Sequence, residues 1–98
     1  MKINKSMNNG KLEIALEGRL DTTTAPELEK ELKDSVDAVS ELTLDFAKLD
    51  YISSAGLRVL LSAHKVMTKK SGMKVTNVNE IVKEVFDVTG FSDILTIE

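Results

Sequence analysis

The feature that most constrains the fold is a change of period in the middle of the chain. Leu42-Thr43-Leu44-Asp45-Phe46 alternates apolar and polar residues, as a strand with one buried face does. From Leu57 the apolar residues fall at helical spacing instead, through Leu60, Leu61, Ala63 and Met67, up to a stop at Ser71-Gly72. Between the two runs stand Ser53, Ser54, Ala55 and Gly56. A serine just before the first helical residue leaves its hydroxyl near backbone N–H groups that have no partner within the helix. That helix end also carries partial positive charge, so a phosphate added there would be stabilised. A plain N-cap role for Ser53 or Ser54 accounts for the same residues equally well.

The rest of the chain fills in around this switch. Ile3, Lys5 and Met7 share one parity, Asn8-Asn9-Gly10 suits a turn, and Leu12, Ile14 and Leu16 alternate with polar neighbours, which together predict a β-hairpin. Gly18 to Thr23 reads as a loop. Thr24-Ala25-Pro26-Glu27 has the spacing of a capping box and opens a helix with Leu28, Leu32, Val36 and Val39 inward. The central helix is expected from about Ala55 to Lys70, with Arg58, Ser62, Lys65 and Lys69 as its polar stripe and the sole histidine, His64, as a hydrogen-bonded core residue. Met73 to Thr76 resumes strand alternation. Asn79 then caps a third helix with Ile81, Val82, Val85, Phe86 and Val88 inward and Gly90 at its stop, and Ile94 to Ile97 forms a last strand.

The predicted order is β-β-α-β-α-β-α-β in one α/β domain over residues 1–98. Strands joined through helices run parallel. Right-handed crossovers marching across a sheet place their helices on one face, and the alternation in the strands agrees with a sheet covered on one side only. The expectation is a small mixed, mostly parallel sheet with helices mainly on one face.

Composition removes several kinds of chemistry. The absence of cysteine excludes disulfides, thiol nucleophiles and thiolate metal sites, and a single histidine makes a histidine-based metal site a poor reading. A net charge of -3 without a basic stripe argues against nucleic acid. No apolar run approaches the roughly 20 residues that span a bilayer, and Met1 to Ser6 lack a signal-type segment, so the expected location is the cytoplasm. A nucleophile elbow would need glycine where Ile52 stands, and Gly10-Lys11 lacks the rest of a P-loop. Nothing here predicts an enzyme or a cofactor. Asp21, Asp45 and Asp50 could gather at the carboxyl ends of parallel strands, although loop and turn chemistry explains Asp45 and Asp50 better.

Asp50-Tyr51-Ile52-Ser53-Ser54-Ala55-Gly56-Leu57 resembles the phosphorylation-site signature of STAS-domain anti-sigma factor antagonists. Gly18-Arg19-Leu20-Asp21 with Thr24-Ala25 is similar to that family's first loop. The resemblance implies that Ser54 accepts the phosphate, with Ser53 as the alternative. It also implies that Asp21, Thr23, Ser53, Ser54, Ala55, Gly56 and Arg58 form the surface a partner meets. By the same resemblance the partners are an anti-sigma factor that is itself a serine kinase and a serine phosphatase, and ATP and metal belong to those proteins. Ser53 stands where many members carry aspartate. Two other readings keep the fold but differ in role. One is an accessory subunit of a transport or signalling complex, and the other is a nucleotide-binding module near Asp21 and Ser54.

Overall fold

A computed structural model describes residues 1–98. The strands are β1 (Lys2–Asn8), β2 (Lys11–Leu20), β3 (Glu41–Ile52), β4 (Met73–Thr76) and β5 (Thr96–Ile97). The helices are α1 (Ala25–Ser35), α2 (Ser54–Met67) and α3 (Glu80–Thr89), with short 3-10 turns at Val36–Ala38 and Phe91–Asp93. The strands lie side by side in chain order; β1 and β2 are antiparallel and every later pair is parallel. Each crossover therefore steps the same way across the sheet, and the right-handed rule puts α1, α2 and α3 on one face. Phe46 of β3 and Phe86 of α3 meet there with ring centroids 6.4 Å apart. One cluster of buried apolar side chains joins strands and helices. The expected order and layering hold.

The two long strands outrun their sequence signal. β2 continues through Gly18-Arg19-Leu20 where a loop is expected, and β3 continues past Phe46 to Ile52. Their pairing slips twice, between Ala15 and Glu17 and again between Gly18 and Arg19, with β3 supplying the extra residue each time. Such bulges break the alternation locally while keeping Leu49 and Ile52 in the core. Alternation alone therefore stops at Phe46 although the strand does not.

Four further expectations change. The first helix is not capped by a Thr24–Glu27 box, because Thr24 already has helical dihedrals and makes no cap bond; the reciprocal pair lies three residues earlier and is described below. α2 ends at Met67 rather than Lys70, since the amides of Lys69 and Lys70 tighten onto the carbonyls of Val66 and Met67. The Lys70 ammonium then donates to the carbonyls of Val36 and Val39, tying this end of α2 to the end of the first helical segment. In α3, Val82 and Phe86 are buried and Val85 half-buried, but Ile81 and Val88 face solvent at 60% and 80% exposure. Asn79 and Gly90 act as expected: the Asn79 side chain accepts from the Val82 amide at 2.8 Å, and Gly90 takes φ +82. The last strand is confined to Thr96–Ile97 instead of starting at Ile94, because the amides of Ile94 and Leu95 fold back onto the Phe91 carbonyl at the end of the 3-10 turn.

Candidate functional site at the head of the second helix

The ends of β2 and β3 lie side by side, with Leu20 opposite Ile52 and the Ser53 amide donating to the Leu20 carbonyl at 2.9 Å. This places the Asp21 loop beside the start of α2, so the structure brings together the two segments that carry the family signature. Gly56 makes the approach possible. A Cβ at that position would lie 2.7 Å from Leu20 Cγ and 2.9 Å from Ile52 Cγ1, closer than any methyl can sit. The need for glycine is thus set by packing against the sheet, a reason not visible in the motif itself.

The Asp21 loop is closed on itself. Asp21 Oδ1 accepts from the Thr23 amide at 3.0 Å, the Thr24 amide at 3.2 Å and the Thr23 hydroxyl at 2.7 Å. Thr24 Oγ1 in turn accepts from the Asp21 amide at 2.9 Å and donates to the Arg19 carbonyl at 2.8 Å. This is a reciprocal cap of the turn that leads into α1, built from Asp21 and Thr24. The Thr23 hydroxyl above all, aided by the two amides, holds the Asp21 carboxyl below the usual carboxylate range. Its other oxygen lies 3.8 Å from Arg19 Nε, and the Arg19 guanidinium sits 4.6 Å above the Tyr51 ring.

The head of α2 is arranged differently. Ser53 occupies the N-cap with extended backbone, and its carbonyl accepts the first helical bond from the Leu57 amide at 3.0 Å. Its hydroxyl, however, is buried and unbonded rather than folded back over the helix end. Ser54, the first helical residue, is exposed, as is Arg58 one turn on; Ala55 is half-buried and Gly56 buried. The amides of residues 54–56 precede the first helical bond, and no side chain caps them. A dianion on Ser54 would meet those donors at the positive end of α2.

The remaining candidates lie elsewhere. Asp45 sits inside β3, where Oδ1 accepts from Asn77 Nδ2 at 3.0 Å and the Ala47 amide at 2.9 Å; the Asn77 contact chiefly lowers its pKa. Asp50 is an exposed strand residue. Both lie within β3, not in the loop or turn expected for them, and neither is bonded to Asp21; no three acidic or histidine side chains converge on a possible metal position. His64 is half-buried, but its Nδ1 is buried without a partner, which corrects the expected hydrogen-bonded histidine. Asn79 is a further contributor to this end of the molecule: its Nδ2 donates to the Leu49 carbonyl at 2.7 Å, fixing the start of α3 against β3. Its helix-start position shows in the sequence, whereas the contact with β3 depends on the fold.

Known proteins resemble this chain along nearly its whole length. A candidate anti-sigma factor antagonist from Bordetella bronchiseptica, BtrV, is 36% identical over 99 residues, covering 99% of this chain and 85% of the relative. The anti-sigma-B factor antagonist of Bacillus subtilis is 26% identical, covering 99% and 90%. The anti-sigma factor antagonist SpoIIAA of Bacillus shares the fold. Its unphosphorylated form has a TM-score of 0.85 at 19% identity, covering 99% of this chain and 88% of that one. Its phosphorylated form has a TM-score of 0.77 at 18% identity, covering 99% and 91%. The family model described as the STAS domain matches residues 2–98, and the chain belongs to that family.

Proposed function

We propose that this chain is an anti-sigma factor antagonist, and that phosphorylation of Ser54 switches it off. The observation that carries the reading is the state of the α2 N-terminus: Ser54 is exposed beside three uncapped amides, while the neighbouring Ser53 hydroxyl is buried. Ser53 is therefore the weaker acceptor. Phosphate at Ser54 adds roughly -1.5 to -2 charges without requiring the core to move. Unmodified, the surface of Asp21, Thr23, Ser54, Ala55 and Arg58 docks an anti-sigma factor that is also a serine kinase; Gly56, buried against the sheet, and the enclosed Ser53 hydroxyl, both expected in that surface, shape it from beneath instead of meeting the partner. Modified, the same surface presents a dianion that the partner would have to desolvate, and a serine phosphatase restores the docking form. ATP and metal are supplied by those enzymes, and the exchange takes place in the cytoplasm.

The nucleotide-binding alternative has less support. The depression beside Ala55 and Arg58 holds only about 210 Å³, below the range of ordinary small-molecule pockets. The accessory-subunit alternative would use the same surface without phosphate. The decisive experiment incubates the chain with its cognate serine kinase and ATP and locates phosphate by mass spectrometry. We expect labelling at Ser54, none in Ser54→Ala, and normal labelling in Ser53→Ala. Phosphoserine at position 54 should weaken kinase binding at least about 100-fold, some 2.7 kcal/mol. Phosphate on Ser54→Ala at the parent rate would overturn the assignment, and unchanged kinase affinity after modification would overturn the switch.

A further inference from the structure

We propose that the outer edge of α3 is a second docking surface, which takes an apolar protein segment flanked by lysine or arginine. Ile81, Val85 and Val88 recur at i, i+4 and i+7, so at about 100° per residue they form one stripe along the helix. The stripe borders Val82 and Phe86, the residues that bury α3 against the sheet. The apolar arc of α3 is thus wider than the sheet covers, and Ile81 and Val88 project beyond it at 60% and 80% exposure. Local helix formation does not ask for them, because β-branched residues are poorer helix formers than the glutamate or lysine usual at exposed positions.

Charge selects the occupant. Along the side of the stripe away from the core run Glu80, Glu84 and Asp87, themselves at i, i+4 and i+7. None of the three forms an ion pair within the chain, whose ion pairs all involve other residues. Like charges spaced in this way repel one another on a free helix; Lys83, three residues after Glu80 and four before Asp87, offsets part of that repulsion but forms an ion pair with neither, so the row stays net negative. A cationic flank on a partner would relieve the repulsion while its apolar side chains cover the stripe. A second copy of this chain fits badly: antiparallel α3 helices related by a two-fold axis would set one carboxylate row against the other.

The surface does not depend on modification at Ser54, and its test needs no kinase. The full chain, labelled with ¹⁵N, is titrated at low salt with a synthetic amphipathic helix of leucine and lysine. Two control peptides accompany it, one with lysine replaced by glutamate and one with the same residues scrambled. Saturable shifts are expected for the amides of residues 80–89 with the leucine–lysine helix, at least tenfold weaker with either control. Val88→Ser should lose most of the response, and Glu80→Gln with Glu84→Gln should weaken binding several-fold. Shifts that map elsewhere, no saturable shift, or equal binding by a control overturns the proposal. So does concentration-dependent dimerisation that Val88→Ser abolishes in sedimentation velocity.

Discussion

The turn entering α1 and the head of α2 are neighbours, each following the end of a parallel strand and each rich in hydroxyl side chains, yet they are finished in opposite ways. At Asp21 and Thr24 the side chains close over the backbone amides in a reciprocal pair. At Ser53 the side chain turns away, and the amides of residues 54–56 are left without a cap. The start of α3 resembles the first case, with Asn79 bonded to the Val82 amide. Residue type does not separate the cases, since serine caps about as well as asparagine. What separates them is how closely the backbone is drawn in. The amide of Ser53 is held to Leu20 and Gly56 rests on Leu20 and Ile52, so the Ser53 hydroxyl is enclosed and Ser54 is left facing out. A closed cap stabilises a turn, whereas an open one keeps donors available for an incoming anion.

The close approach of α2 to the sheet is the first thing to break. Gly56→Val would force side-chain atoms into Leu20 and Ile52, and we expect a loss of about 1–3 kcal/mol in urea unfolding. Gly56→Ala should lose less, because alanine exceeds glycine in helix propensity by about 1 kcal/mol and offsets part of the clash. If Gly56→Val were as stable as the parent, the enclosure of Ser53 would need another explanation.

How far the sequence discloses this arrangement differs from element to element. The change of period between Phe46 and Leu57 is enough to place Ser54 at a helix start, because strand and helix spacing are both local properties. The lengths of β2 and β3 are not legible, since two bulges disturb alternation just where the strands run on toward the site. The position of the first cap is ambiguous for a related reason. Asp21, Thr22, Thr23 and Thr24 can all cap, and the Pro26–Glu27 spacing favours Thr24, while the tertiary hold on Leu20 decides for Asp21. In α3 the apolar period is plain but the share the sheet covers is not, so Ile81 and Val88 read as core and stand outside. Ser53 and Ser54 are equivalent in composition; only packing distinguishes a buried hydroxyl from an exposed one.

The closed cap makes the next prediction, smaller than the clash at Gly56. Asp21→Ala removes the acceptor for two amides and the Thr23 hydroxyl, and the melting temperature should fall by roughly 5 °C in a domain of this length. The effect should depend on pH. The folded-state carboxyl of Asp21 titrates below its ordinary value of 3.8, so its contribution is complete above that value and is lost as pH falls through the lower folded-state pKa. Asp45, also lowered, steepens the same acid limb. Melting curves of the parent and Asp21→Ala should stay separated from pH 7 to about pH 5 and converge below pH 4. A constant separation down to pH 2 would mean that the carboxylate is not what holds the turn.

The open cap gives the smallest effect, of opposite sign. A buried hydroxyl without a partner is desolvated for no return, so Ser53→Ala should leave stability unchanged or raise it by up to about 1 kcal/mol. Serine at an N-cap ordinarily loses about that much on the same substitution, so the sign of the change tells the two roles apart. Chemical unfolding of Ser53→Ala beside Asp21→Ala measures it directly. Matching losses in the two variants would mean that Ser53 caps α2 in solution, and the open donors on which a phosphate at Ser54 depends would then be partly taken.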